Sequence, residues 1–173
     1  LTKKINRQFC TEQLKKLGTF TKRRDEVTQR HLDFFGKFSH IFEVPKMNKN
    51  ANSSWFAFPL IVKEKAPFTR TDLQIFLEER NIQTRVIFTG NIIRQPAFKG
   101  IEKKISKDGY PVADRVMARG FLLGNHHGLT EEMIEHVHES VKIFIKKYLS
   151  KYIKKNWKKI IHLEKMVRSF VTN

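Results

Sequence analysis

Cysteine is nearly absent from this sequence, with Cys10 as its single instance among 173 residues. One thiol cannot form an internal disulfide framework or supply a metal cage made of cysteine alone. Because disulfides mark oxidising compartments, the scarcity favours a reducing one, and we expect a cytoplasmic protein. The sequence also lacks an apolar run close to the roughly 18 residues that a membrane-spanning helix needs.

Familiar catalytic motifs are missing as well. The sequence contains no phosphate-binding glycine loop, no metalloprotease histidine pair and no nucleophile elbow. No lysine stands in a context that singles it out as a Schiff-base residue. The N-terminal Leu1-Thr2-Lys3-Lys4-Ile5 is basic without the apolar stretch of a signal peptide. Since it also starts without methionine, we expect the chain to begin inside a longer reading frame.

Acidic residues are few: 17 Asp and Glu stand against 34 Lys and Arg, which gives a net charge of +17. Residues 141–173 alone hold ten basic residues and one acidic residue, Glu164. A field of this sign attracts nucleic acid, anionic lipid or phosphorylated ligands. A solvated helix face explains it more simply, because no nucleic-acid-binding module accompanies the charge. A basic module on nucleic acid or an anionic membrane surface is therefore the alternative function.

The apolar pattern predicts a long helix followed by a small layered unit. Apolar residues at helical spacing indicate a helix over Thr11–Phe38, and the polar stretch Pro45–Ser54 is typical of a hinge. Residues 55–62 predict a strand that is covered on both faces, with Pro59 at an edge or a bulge. A capping box at Thr69 and Asp72 predicts a helix that stops near Asn81.

A second strand is expected over Ile82–Phe88, so strand, helix and strand follow one another closely. This order implies an α/β (α+β) layer, with a right-handed crossover if the strands are parallel. A short helix over Pro111–Arg119, a strand over Phe121–Leu123 and a last helix from Thr130 complete the unit. The apolar face of the last helix comprises Ile134, Val137, Val141, Phe144, Ile145, Tyr148 and Tyr152. We expect a linking region at 1–44, a small domain at 45–150 and a basic, helical tail at 151–173.

Polar side chains gather where the second strand ends. Arg85, Thr89, Asn91, Arg94 and Gln95 can donate several hydrogen bonds, and the Gly90-Asn91 pair favours a turn. Loops at strand ends commonly carry binding residues, and arginine suits phosphate because its planar fork binds two oxygens. A surface loop with ordinary turn residues is the competing interpretation.

Histidines form a second candidate cluster. His126 and His127 precede the last helix and could bind an anion or a metal, although a hydrogen-bonded structural turn is the simpler expectation. His136 and His138 lie two residues apart on the last helix and do not share a face. We expect both of these to be solvated.

Three stretches of the sequence resemble, in the same order, the small-domain motifs of one enzyme family, the DegT/DnrJ/StrS family of pyridoxal-phosphate (PLP) sugar aminotransferases and dehydrases. These stretches are Arg85–Phe98, Tyr110–Met117 and Gly124–Glu132. The last block is especially similar to the branch that includes CDP-4-keto-6-deoxyglucose 3-dehydrase and its lipopolysaccharide-biosynthesis relatives. Gln13–Leu17, followed by Arg23-Arg24, resembles the helix that joins the large and small domains of that family.

The resemblance implies the small C-terminal domain of the fold-type-I aminotransferase architecture. It also implies a nucleotide-linked deoxysugar substrate and PLP or pyridoxamine phosphate (PMP), in a homodimer or with a large domain that carries the cofactor. The cofactor-binding lysine or histidine of the family would precede the linking helix, so we expect no cofactor on this chain alone and no activity. No catalytic residue or metal site is assigned.

Individual residues of this sequence match positions in the motifs of that family. Arg85 matches the arginine of the family's Glu-x-Arg segment and is the best candidate to face substrate or phosphate. Gln83 occupies the glutamate position, which argues against an acid role there. Thr89, Gly90 and Asn91 match the turn that lines the sugar site, so the expected substrate-binding set is Gln83, Arg85, Thr89, Gly90 and Asn91.

Overall fold

A four-stranded antiparallel sheet organises the chain, which a computed structural model describes over residues 2–51 and 53–150. The predicted basic tail, with Tyr152, lies outside the described residues. In chain order the elements are α1 (Thr2–Gly36), β1 (Phe42–Glu43), β2 (Ala57–Val62), α2 (Arg70–Glu78), β3 (Thr84–Val86), two 3₁₀ turns (Ile92–Arg94 and Pro96–Phe98), α3 (Pro111–Arg119), β4 (Gly120–Gly124) and α4, described over residues 131–150.

The sheet order is β1-β2-β4-β3, and every neighbouring pair is antiparallel. Since β2 and β3 both run opposite to β4, they run parallel to each other without touching. The predicted strand-helix-strand succession therefore exists, but β4 is inserted between its two strands. The second strand is also shorter than the predicted Ile82–Phe88, because the chain turns at residues 87–90 and Phe88 takes a left-handed φ of 46°.

Strand β2 tolerates Pro59 although it lies inside the sheet. It alternates buried and half-buried residues, with Phe58, Leu60 and Val62 in the core, so only one face is fully covered and the prediction of two covered faces was wrong. Pro59 pairs with Leu122 of β4, whereas β1 reaches only Ile61 and Val62. The β1 flank of Pro59 therefore stays open, where a missing N–H breaks no ladder.

The capping box predicted for α2 is present. The Thr69 hydroxyl accepts the backbone N–H of Asp72, and the Asp72 carboxylate accepts the backbone N–H of Thr69. Asn81 has the left-handed φ of 60° expected for a helix stop. Leu73 and Leu77 are fully buried, which fixes the orientation of the helix on the sheet.

One core joins the end of α1, the sheet, α2 and α4. It includes Phe34, Phe35, Ile41 and Phe42 together with strand and α4 residues, so it contains residues on both sides of position 44. Helix α1 begins earlier than the predicted Thr11 and ends at Gly36 rather than Phe38. Residues 7–19 of α1 are exposed, including Phe9, Leu14 and Leu17. None of the helices in the described part of the chain is long and apolar enough to cross a membrane.

Candidate functional site

A groove of about 450 Å³ opens at the end of the sheet where β2 and β3 begin and β4 finishes. Helix α4 forms its other side. Its walls are mostly apolar, with Phe56, Leu122, Leu129, Met133 and Val137 among them, and its polar groups include Gln83, Arg85, His126 and His136. A concave, largely apolar site with a few converging polar groups is the usual form of a small-molecule site.

Helix α2 holds β3 at the rim of this groove. One Glu78 carboxylate oxygen accepts the Thr84 backbone N–H at 2.6 Å and its hydroxyl at 2.9 Å. The Gln74 amide donates to the same hydroxyl at 3.0 Å, and Thr84 is buried. Because neighbouring residues of a strand point to opposite faces, burying Thr84 directs Gln83 and Arg85 to the other side.

Arg85 and Gln83 form a pair on that outward side. The Arg85 guanidinium donates to the Thr84 carbonyl at 3.0 Å. With the Gln83 amide oriented so that its oxygen faces the guanidinium, that oxygen accepts from Arg85 at 2.6 and 3.3 Å. Gln83 is neutral, so it orients the guanidinium without cancelling its charge. Arg85 therefore brings a net positive charge to the groove.

Thr89, Gly90 and Asn91 lie elsewhere, in the turn that packs on α3. The Gln95 amide donates to the Thr89 carbonyl at 2.7 Å, and Gly90 closes the turn by donating to Ile87 at 3.0 Å. Asn91 is buried, and its side-chain oxygen accepts the Ile93 N–H at 3.2 Å. The structure thus brings Gln83 and Arg85 together in the groove but not these three residues; whether any of the five contacts substrate stays a prediction.

Asp114 of α3 holds this turn in place through three hydrogen bonds. It accepts a hydrogen bond from the Asn91 amide at 2.8 Å and two from Arg94, at 3.1 and 2.9 Å. These hydrogen bonds, from Arg94 first and Asn91 second, hold the pKa of the Asp114 carboxyl below its ordinary value. Two of the polar residues predicted as ligand donors, Asn91 and Arg94, therefore have intramolecular partners.

The histidines of the loop before α4 serve mainly local structure. His126 accepts the Gly128 N–H on Nδ1 at 3.2 Å, and its carbonyl accepts the Leu129 N–H, as expected for a hydrogen-bonded turn. The His127 ring stacks on Phe20 of α1 with centroids 3.7 Å apart. Within residues 2–51 and 53–150, no group of three or more potential ligands could hold a metal ion.

The expectation that His138 is solvated was wrong, whereas His136 is exposed. His138 is buried against His31 of α1, a residue for which the sequence analysis makes no prediction. The burial of His138 could have been predicted from the sequence, because His138 lies four residues after Ile134 and three before Val141. Such spacing places it on the buried face of α4. His31 has the same spacing on α1, since it lies four residues after Val27 and three before Phe34.

Comparison with known proteins identifies the family to which the chain belongs. The family model for the DegT/DnrJ/EryC1/StrS aminotransferases matches residues 4–142. The chain belongs to this family. The DegT/DnrJ/EryC1/StrS relatives include a dTDP-4-dehydro-2,6-dideoxy-D-glucose 3-dehydratase from Saccharopolyspora spinosa, which is 34% identical over 140 residues, covering 81% of this chain and 30% of that protein.

Two further DegT/DnrJ/EryC1/StrS relatives support the assignment. The lipopolysaccharide biosynthesis protein RfbH of Salmonella typhimurium is 35% identical over 99 residues, which cover 57% of this chain and 22% of that protein. The solved structure of E. coli GDP-4-keto-6-deoxy-D-mannose-3-dehydratase with bound hydrated PLP superposes with a TM-score of 0.67 at 28% identity, covering 75% of this chain and 33% of that one. The chain therefore spans about a third or less of the length of these relatives, and the expected family and fold class are confirmed.

The groove does not by itself meet the needs of PLP. Covalent attachment of that cofactor requires a lysine amine for its aldehyde. Among the described residues that line the groove there is neither a lysine nor a carboxylate. We therefore derive no step of PLP chemistry from these residues.

Proposed function

We propose that this chain supplies the small-domain part of a cytoplasmic, PLP- or PMP-dependent nucleotide-sugar 3-dehydratase or aminotransferase of lipopolysaccharide or O-antigen sugar biosynthesis. The family assignment supports the reaction class. The names of the two relatives that are 34% and 35% identical, a sugar 3-dehydratase and a lipopolysaccharide biosynthesis protein, favour the dehydratase branch.

The observation that carries the proposal is the Arg85 charge in a mostly apolar groove, where Arg85 forms no ion pair with any described residue. A guanidinium binds phosphate or carboxylate oxygens through two parallel N–H donors. The Arg85 side chain is exposed, so such a ligand can reach it. Phe56 and Leu122 line the same groove. Such walls suit the less polar body of a deoxysugar or a base, while Arg85 suits an anionic group.

Calorimetric titration of the 173-residue chain with a nucleotide-linked deoxysugar tests this role. We expect binding that Arg85→Gln weakens about tenfold or more, since losing a charge-assisted contact costs about 1.5–3 kcal/mol. Arg7→Gln, an exposed position on α1, removes the same charge and is the matched control. Equal affinity in the Arg85 and Arg7 variants would exclude Arg85 from the site.

A chimeric enzyme tests the family role separately from ligand binding. Residues 4–142 replace the corresponding third of the E. coli 3-dehydratase, and turnover is compared with that of the unmodified enzyme. We expect measurable dehydration that Arg85→Gln reduces. A chimera that folds and binds PLP but never dehydrates its substrate would contradict the proposal.

The basic surface supports a second candidate, binding of a polyanion. Lys142, Lys146 and Lys147 are exposed on α4 at the start of the basic segment. Affinity for duplex DNA, RNA or anionic vesicles would then fall steeply as salt rises. A chain ending at Lys151 should lose that affinity, because the deletion removes six of the ten basic residues in 141–173. An affinity unchanged by the deletion would show that the tail does not bind the polyanion.

A further inference from the structure

Two buried histidines meet between α1 and α4. Nδ1 of His31 lies 3.0 Å from Nε2 of His138, and the two residues are only 1% and 5% exposed. The His138 ring stacks on Phe34 with centroids 4.0 Å apart, and the His31 ring lies 5.0 Å from that of Phe58. These rings hold both imidazoles in place, so the contact cannot open unless one helix moves.

The contact depends on the protonation of the two rings. A neutral imidazole has one N–H donor and one acceptor nitrogen, whereas a protonated imidazole has two donors. One of the facing nitrogens therefore donates and the other accepts while both rings are neutral. If both rings are protonated, two N–H groups point at each other and the hydrogen bond is lost.

The charges around the pair oppose proton uptake. The facing His138 and Arg30 act on His31. Arg30, Lys142 of α4 and Lys37, which follows α1, act on His138, and Glu139 favours the charged form of His138. Asp33 of α1 and Glu135 of α4 line the surface pocket beside His138. Strand β2 presents the uncharged Phe58. Burial is the largest cause for both rings. Together with the facing His138 and Arg30 it lowers the pKa of His31 to about 3, and together with the surrounding cations it lowers the pKa of His138 to about 4.

We propose that His31 and His138 form a pH-sensitive latch that holds the second half of α1 on α4 and releases it in acid. The folded pKa values lie below the ordinary 6.5, so the closed latch binds fewer protons than an open one. The contribution of the latch to the stability of the α1–α4 contact is complete above about pH 6.5 and declines as the pH falls toward 4. His31 also lines the groove that contains Arg85, so opening the latch changes the wall of that groove.

Other contacts between the helices do not involve the histidines. Arg23 and Arg30 of α1 pair with Glu131 at the start of α4. A variant that lacks both His31 and His138 keeps these ion pairs, so comparing it with the unmodified chain isolates the effect of the histidines.

Hydrogen exchange of the full 173-residue chain measures the latch directly. Protection of the amides in residues 26–36 and 134–145, corrected for the intrinsic exchange rate, should fall about tenfold or more from pH 7 to pH 5. The double variant His31→Asn/His138→Gln places amides near the two facing nitrogens and cannot titrate. We expect it to keep its protection over this range, and the exposed His136→Gln variant to behave like the unmodified chain.

Equal loss of protection in the double variant and the unmodified chain would overturn the latch, as would protection that does not change with pH. If the double variant does not fold, nuclear magnetic resonance of the unmodified chain decides. The imidazole signals of His31 and His138 should remain those of neutral rings at about pH 5.5, one unit below the ordinary value. Titration of both rings near pH 6.5 would exclude the proposal.

Discussion

Gly90 and Met117 approach so closely that the turn after β3 has no space for a side chain. A Cβ atom on Gly90 would lie 2.6 Å from the Cγ of Met117, and Gly90 also has a left-handed φ of 61°. Glycine is therefore needed here for two independent reasons, conformation and space. The turn that carries Thr89 and Asn91 is seated on α3 through this contact.

Gly90→Ala should lower the free energy of unfolding by more than either reason alone. The left-handed conformation costs a non-glycine residue about 1–2 kcal/mol, and overpacking typically adds about 1–3 kcal/mol. Gly109 has the same kind of φ, 64°, but open space around it, so Gly109→Ala should cost only the conformational part. Urea unfolding monitored by circular dichroism separates the two; equal effects would show that Met117 yields freely.

Asp114→Ala should loosen the same turn by leaving Asn91 without its acceptor. A buried amide deprived of its partner costs about 1–3 kcal/mol. Asp108→Ala, at an exposed position, is the matched control and should change the free energy of unfolding little. Since the pKa of Asp114 is lowered, its contribution is present above the ordinary value of 3.8 and is lost as the pH falls through the folded pKa. An effect in the Asp108 variant as large as that in the Asp114 variant would contradict this account.

Thr69→Ala should destabilise α2 by about 1 kcal/mol, because one arm of the capping box disappears. Thr71→Ala changes the same residue type within the helix and should be neutral or slightly stabilising, since alanine favours helix. Thermal unfolding of the two variants and the unmodified chain gives the comparison. The capping contacts would be energetically unimportant if both substitutions shifted the midpoint equally.

The purified chain mixed with PLP should develop no specific visible absorbance that borohydride fixes covalently. The reason is that no lysine, the residue that would form the Schiff base, is among the described residues that line the groove. Mass spectrometry after reduction identifies any modified lysine. A single modified lysine at full occupancy would contradict the expectation, whereas sparse labelling over many exposed lysines would not.

Local signals predicted the helices of the small domain well. Thr69, Asp72 and Asn81 mark the ends of α2, and Pro111 and Gly120 delimit α3 to the residue. Each of these signals acts through the backbone of its own turn, so no tertiary information is needed. The long α1 was predicted as a helix, but it begins nine residues before the predicted Thr11 and ends two residues before the predicted Phe38.

The sheet order required tertiary information, whereas the burial of His31 and His138 could be predicted from their spacing on the two helices. No local pattern says that β4 pairs with both β2 and β3, since its partners lie tens of residues earlier. Gln83 and Arg85 come together in the groove because they flank the buried Thr84 of one strand. Thr89, Gly90 and Asn91 share their sequence neighbourhood, but the turn at Phe88 carries them to α3 instead.

The place of β4 in the sheet also sets the order in which this unit can assemble. Until residues 120–124 have left the ribosome, β2 and β3 lack the strand that joins them, and each exposes an unpaired edge. Unpaired edges on a growing chain invite association with other chains. Synthesis of the last strand is therefore the step that converts two aggregation-prone segments into one sheet, and chains interrupted before residue 120 should accumulate as insoluble material.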